Sequence, residues 1–235
     1  MVRNKLACLF MLLTAALYLS GCSAARMAVP ADLKESSQML VCKGRGGFDE
    51  SFTMGAYNIR EVKRGWTRKS AWGFLGYSSS NARQNFEFTL VTPGGEQWQG
   101  QGATNLKLKE LEREAWGGTL KSTLSEKENL VARCSGPAGE WTLVLSLDTE
   151  ENLLKGIFNS GNQTYQITGT HKLAGSPMPL YDASGYLISR GGRQLAAVEV
   201  INNGAVWLSR DLSGGERDLL AAAAAALLLY QDLEH

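Results

Sequence analysis

Between Arg60 and Tyr77 the chain interleaves five cations, Arg60, Lys63, Arg64, Arg68 and Lys69, with Trp66, Trp72, Phe74 and Tyr77 among glycines. Cationic side chains meet phosphates, and amphipathic rings settle at a lipid boundary or stack on sugars. Arg60, Lys63, Arg64, Trp66, Arg68, Lys69 and Trp72 are therefore the candidate ligand-binding set; the plainer reading is a basic strand and turn with two core tryptophans. Asp148, Glu150 and Glu151 crowd one turn, suited to weak calcium binding and equally to plain solvation. His171 is the one internal histidine besides the terminal His235, so a histidine metal site or a Ser-His-Asp triad would hang on a single residue. It follows an expected strand and reads as a surface turn residue. No serine sits in a Gly-x-Ser-x-Gly elbow, and Gly44-Arg45-Gly46-Gly47 lacks the Lys-Ser/Thr of a phosphate-cradling loop. The expectation is a binding or structural module with no catalytic residue, metal or cofactor. The alternative is a hydrolase acting on envelope lipid or glycan, for which carboxylates must converge on His171.

A second chemistry lies at the cysteines. Arg3 and Lys5 precede an apolar run from Leu6 to Leu19, broken only by Thr14, and Ser20-Gly21 lead into Cys22. A charged start, a short apolar core and small residues before a cleavage point make residues 1–21 a signal peptide. Its core is too short to span a bilayer comfortably. Leu19-Ser20-Gly21-Cys22 resembles the lipobox of bacterial lipoproteins. The resemblance implies cleavage before Cys22, acylation of that residue, and several acyl chains where one would hold only marginally. Ser23 in place of aspartate implies the outer membrane, facing the periplasm. Cys8 leaves with the leader and Cys22 takes lipid. Cys42 and Cys134 remain, in an oxidising compartment, either as one disulfide or as two separate buried thiols.

Loss of Arg3 and Lys5 from 24 basic residues leaves 22 against 23 acidic ones, a formal charge of −1 over the remaining 214 of 235 residues. No bulk field recruits nucleic acid. The expected partners are the membrane, through lipid on Cys22, and an anionic lipid or an envelope protein at the folded domain.

Residues 22–37 are small and polar around Pro30 and read as a tether, and residues 38–235 as a single β-rich domain. Trp141 to Leu147, Leu153 to Phe158 and Thr164 to Gly169 alternate or run apolar between Asn/Gly-rich turns, which is an antiparallel meander. Ser51 to Val62, Asn85 to Thr92 and Gln97 to Gly102 are further strands, the last two joined through Pro93-Gly94-Gly95. Residues 105–130 are rich in Leu, Lys and Glu; Leu106, Leu108 and Leu111 read as the start of a helix broken at Gly117-Gly118, and Leu120 to Leu130 as a second short helical piece or a strand. Ser213-Gly214-Gly215-Glu216 has the form of a capping box and opens a helix over about 214–232. From Leu219 to Tyr230 its only polar group is the tyrosine hydroxyl. A helix apolar on every side must be surrounded, and twelve residues span only about 18 Å, so a buried core helix is favoured over a membrane anchor. The fold class is mainly β, an antiparallel barrel or meander with a buried apolar C-terminal helix.

The C-terminal part is similar to the tubby C-terminal-like superfamily, which includes the LURP-one-related proteins and the phospholipid scramblases. The resemblance runs through Tyr165 to Gly169, Met178 to Ile188 with Asp182-x-x-Gly185 as a turn between strands, Leu195 to Ile201, the hairpin turn Asn202-Asn203-Gly204, Ala205 to Leu208, and the helix. It implies a closed antiparallel barrel threaded by that helix, and a basic surface that meets lipid head groups. The scramblase cysteine cluster and calcium segment have no counterpart, so scrambling is not implied.

Overall fold

Apolar residues that recur on alternate positions give strands one dry face, and a sheet with a dry face must curl or be covered. Here it closes. In the computed structural model, which describes residues 24–46, 50–65, 73–74, 77–78, 85–104, 129–148 and 150–231, twelve antiparallel strands form one closed barrel. In chain order these are β1 (Ser37–Lys43), β2 (Phe52–Met54), β3 (Tyr57–Gly65), β6 (Asn85–Val91), β7 (Gln97–Thr104), β8 (Asn129–Gly136), β9 (Gly139–Asp148), β10 (Leu153–Ser160), β11 (Gln163–Thr170), β12 (Gly185–Arg190), β13 (Arg193–Glu199) and β14 (Ala205–Ser209). β4 (Gly73–Phe74) and β5 (Tyr77–Ser78) make a separate small hairpin. Each barrel strand pairs with a near neighbour in sequence, and closure comes from β1 lying beside β14, with Ser37 opposite Ser209 and Val41 opposite Ala205.

Eight strands already leave an interior just wide enough for side chains; twelve leave room for a helix. Helix α2 (Gly214–Gln231) fills it, and every side chain from Leu220 to Leu229 is fully buried. The six consecutive alanines explain how: with a methyl group at each position, the helix backbone approaches the wall on all sides. The wall supplies the bulk in return, with Trp98, Trp141, Tyr165, Tyr186, Phe86, Phe88 and Phe158 all buried. β7 is thinned to receive those rings. Gly100 faces Phe88 and Gly102 faces Phe86 across β6–β7, and a Cβ at either glycine would stand 2.1 Å or 2.3 Å from a ring carbon. No helix among the described residues is long and apolar enough to cross a membrane.

The barrel has two unlike ends. Connections 55–56, 92–96, 137–138, 161–162, 191–192 and 210–213 are tight and lie at one, here the turn rim. At the other, the loop rim, lie connections 171–184 and 200–204, the end of β1 at Lys43, the end of β3 at Gly65, the start of β6 at Asn85, the end of β7 at Thr104, the start of β8 at Asn129, the end of β9 at Asp148 and the start of β10 at Leu153. The helix enters at the turn rim and ends at the loop rim.

Three expectations change. Residues 26–36 are not a free tether. They form a strap down the outer wall: Met27 bridges Leu173, helix α1 (Ala31–Ser36) follows, and Met27 and Leu33 are buried with Ala197, Ala205 and Trp207. This is why β13 and β14 are nearly continuous in apolar residues. Ala196 and Val198 face α2, Ala197 between them faces the strap, and strands covered on both faces lose their alternation. Second, Ser51 to Val62 is two strands, turned at Gly55 in a left-handed conformation (φ 59°). Third, Met178 to Tyr181 is a loop; the strand begins only at Gly185. The expectations for 105–130 lie outside the described residues save Asn129 and Leu130, which open a strand, β8.

Candidate functional site

Of the basic and aromatic set, Arg60, Lys63 and Arg64 are described; Trp66, Arg68, Lys69 and Trp72 lie outside the described residues, as does Cys22. Arg60 and Lys63 are exposed on β3. Three positions apart, they would ordinarily point to opposite faces of a strand. A bulge between them, with Glu61 at φ 56°, resets the alternation. Lys63 stands opposite Glu87, and Arg60 opposite Thr89. Arg64 does something else. Its Nη1 donates to the Leu229 carbonyl at 3.0 Å, near the end of α2, and its Nε pairs with Glu50. A guanidinium at a helix C-terminus satisfies an orphan carbonyl and the negative end of the dipole, so Arg64 holds the end of the helix.

At the turn rim the start of α2 is held by acids. Ser213 Oγ accepts the Glu216 N–H at 3.3 Å, one half of the expected capping box. The other half is not made: the Glu216 carboxylate accepts from Arg190 at 2.5 Å and lies 2.9 Å from the Tyr165 hydroxyl. Arg190 also donates to Gln163 and sits over the Tyr165 ring, 5.2 Å from its centroid. On the far side of the helix start, Tyr57 donates to Asp218 at 2.6 Å. Burial, then the hydrogen bond to Glu216, push the Tyr165 hydroxyl up to about 12; burial and Asp218 raise Tyr57 in the same direction. A groove of about 530 Å³ opens beside this network, lined by Glu140, Tyr165 and Glu216 among others. A tyrosine this reluctant to ionise is a poor acid and keeps its proton near neutral pH, and its acidic neighbour is already paired, so the cluster pins the helix start.

At the loop rim His171 links two connections, its ring nitrogens 2.9 Å and 3.0 Å from the carbonyl oxygens of Asp182 and Glu151. Among the described residues its ring is given two carbonyl partners and no carboxylate. Asp148 accepts from Lys155 at 3.0 Å and from the Glu150 and Glu151 N–H groups, which hold its carboxyl below the usual range. This is a self-satisfied turn. No group of three His, Cys, Asp or Glu suited to a metal occurs among the described residues. Nothing among known proteins sharpens the picture: no family model, curated protein or solved structure matches the chain.

Cys42 and Cys134 are both buried thiols and are not bridged to each other. They lie on β1 and β8, five strands apart one way round the barrel and seven the other, and both face the core shared with α2. A bridge needs Cα atoms within about 7 Å, which inward positions on opposed walls of a filled barrel do not offer. Burial drives the Cys134 thiol up, further from the reactive thiolate.

The feature that sequence reasoning missed is the exposed apolar pair Met178 and Tyr181, 75% and 83% accessible, in the loop taken for a strand. Two prolines flanking Met178, neither able to donate to a ladder, were the available signal.

Proposed function

We propose that the chain is an envelope lipoprotein, held at a membrane by acyl chains on Cys22, whose barrel is a non-enzymatic binding or structural module for lipid or a partner protein. The observation that supports this best is the helix inside the barrel. An interior filled by the chain's own alanines and leucines leaves a ligand only the outer wall and the rims. A closed antiparallel barrel around a C-terminal helix also agrees with the tubby-like resemblance and supports it as a reading of the fold. Of the basic and aromatic set, Lys63 and Arg60 are the described cations exposed on β3 and open to an anionic head group.

In membrane fractions the wild-type chain should carry the mass of acyl groups and resist salt extraction, whereas Cys22→Ser should leave the membrane. Recovery of both in equal yield overturns the anchor. The soluble Cys22→Ser chain should associate with vesicles of anionic phospholipid, and Arg60→Ala with Lys63→Ala should weaken that several-fold. Unchanged association removes head-group binding at β3 and leaves the partner-protein form of the proposal.

A further inference from the structure

Where the chain enters the fold decides which way the barrel faces its membrane. The strap begins at the loop rim. Asn202 Nδ2, in the β13–β14 turn of that rim, donates to the Ala25 carbonyl at 2.7 Å. Arg26 Nε donates to the Glu199 carboxylate at 2.8 Å, and the Met27 N–H donates to the same group at 3.0 Å. The Ala28 N–H donates to Lys172, and the Ala174 N–H to Arg26, both backbone carbonyls, so residues 26–28 extend the sheet beside the continuation of β11. Glu199 is almost wholly buried, and Arg26 lies 6.0 Å from the Trp207 ring centroid on its other side. Gly185 exists to admit this strap: a Cβ there would stand 2.4 Å from the Met27 sulfur and 2.2 Å from the Val198 carbonyl. Ala25 therefore sits at the loop rim, and the described chain enters the fold there.

The reach is short. Three Cα-to-Cα steps, with Ser23 and Ala24 between, separate Ala25 from Cys22, at most about 11 Å of fully extended chain. A flexible tether over residues 22–37 would have let the barrel turn any surface to the bilayer; the strap removes that freedom. The loop that pairs with the strap at Leu173 is also the one that presents Met178 and Tyr181 to solvent, in the sequence Ser176-Pro177-Met178-Pro179-Leu180-Tyr181. An unbranched thioether and an amphipathic ring suit the boundary between head groups and acyl chains. Acidic Glu150 and Glu151 share the rim with Lys43 and Lys172, so charge of a single sign is not what selects this face.

We infer that the loop rim is the membrane-facing surface of the barrel, with Met178 and Tyr181 dipping into the lipid interface beside the anchored Cys22. This rests on the lipidation of Cys22 proposed above. The occupant is the bilayer holding those acyl chains, and the turn rim with its helix start faces away.

The test uses the acylated full chain reconstituted in vesicles of phosphatidylethanolamine and phosphatidylglycerol. A polarity-sensitive fluorophore is placed by Met178→Cys or, on the turn rim, by Asn162→Cys. Quencher-bearing lipid should reduce emission at 178 several-fold and leave 162 at its value in water. Glu199→Ala with Arg26→Ala, which frees the strap, should narrow that difference while the thermal transition remains cooperative. A chain whose mass shows no acyl groups overturns the anchor and the orientation with it. An acylated chain in which 178 is quenched no more than 162 overturns the orientation alone.

Discussion

At the scale of single residues, the barrel is an exercise in matching large rings to missing side chains. Gly100 and Phe88 form a unit: the ring occupies the volume that any Cβ would need. Gly100→Ala should lower stability by about 1–3 kcal/mol, the usual cost of overpacking. Adding Phe88→Leu, itself destabilising, should cost less on that background than alone. Denaturant melts of the two single variants and the pair measure the coupling, and strict additivity would show that the ring is free to move aside. Tyr165 gives a pH signature. Its folded value is raised from 10.0 to about 12, so the protonated hydroxyl is favoured in the fold. The stabilisation is complete below pH 10, where both states keep the proton. It is lost as pH climbs through 12, because the unfolded chain ionises first and gains from doing so. Thermal midpoints followed across this alkaline window should fall, and fall less steeply in Tyr165→Phe; parallel slopes for the two proteins would assign the loss to other groups.

At the scale of elements, legibility depended on where each element's reason lay. The β9–β10–β11 meander and α2 were visible in sequence because the cause is local: alternation between Gly/Asn turns, and an apolar run after a capping serine. The strap was not, because Met27 and Leu33 look incidental in a small, polar, proline-containing stretch until β13 and β14 supply the wall that buries them. Met178 to Tyr181 misled in the opposite direction, apolar in composition yet exposed. The candidate site divided in the same way. Residue type marked Arg64 as a phosphate-binding cation, and only the tertiary arrangement shows that it closes the end of α2 on the Leu229 carbonyl and Glu50. Arg64→Ala should therefore cost roughly 1–3 kcal/mol, chiefly by leaving the buried Leu229 carbonyl without its donor. Arg60→Ala, exposed on the same strand, should fall within about 0.5 kcal/mol of wild type. Equal melting midpoints for the two variants would return Arg64 to the solvent-facing set.

At the scale of the whole molecule, both chain ends matter and they matter unequally. Closure joins β1 to β14, so the seam is made by strands from opposite ends of the folded chain, and pairing of such distant segments is slow to form. What fills the closed barrel comes last of all. α2 buries Leu219, Leu220, Leu227, Leu228 and Leu229 besides its alanines, and at about 1.5–3 kcal/mol for each leucine this is on the order of 10 kcal/mol. Net stability of a domain is itself only about 5–15 kcal/mol. The strap buries chiefly Met27 and Leu33, or about 3–6 kcal/mol on the same scale. A chain lacking residues 24–36 should consequently keep a cooperative thermal transition at a lower midpoint. A chain ending at Ser213 should show none, because the empty barrel has neither the apolar burial nor the partners for Tyr57 and Tyr165 that the helix start provides. Calorimetry of the two truncations distinguishes a strap that orients from a helix that holds the fold. A sharp transition in the helix-less chain would mean that the strands close on one another without it.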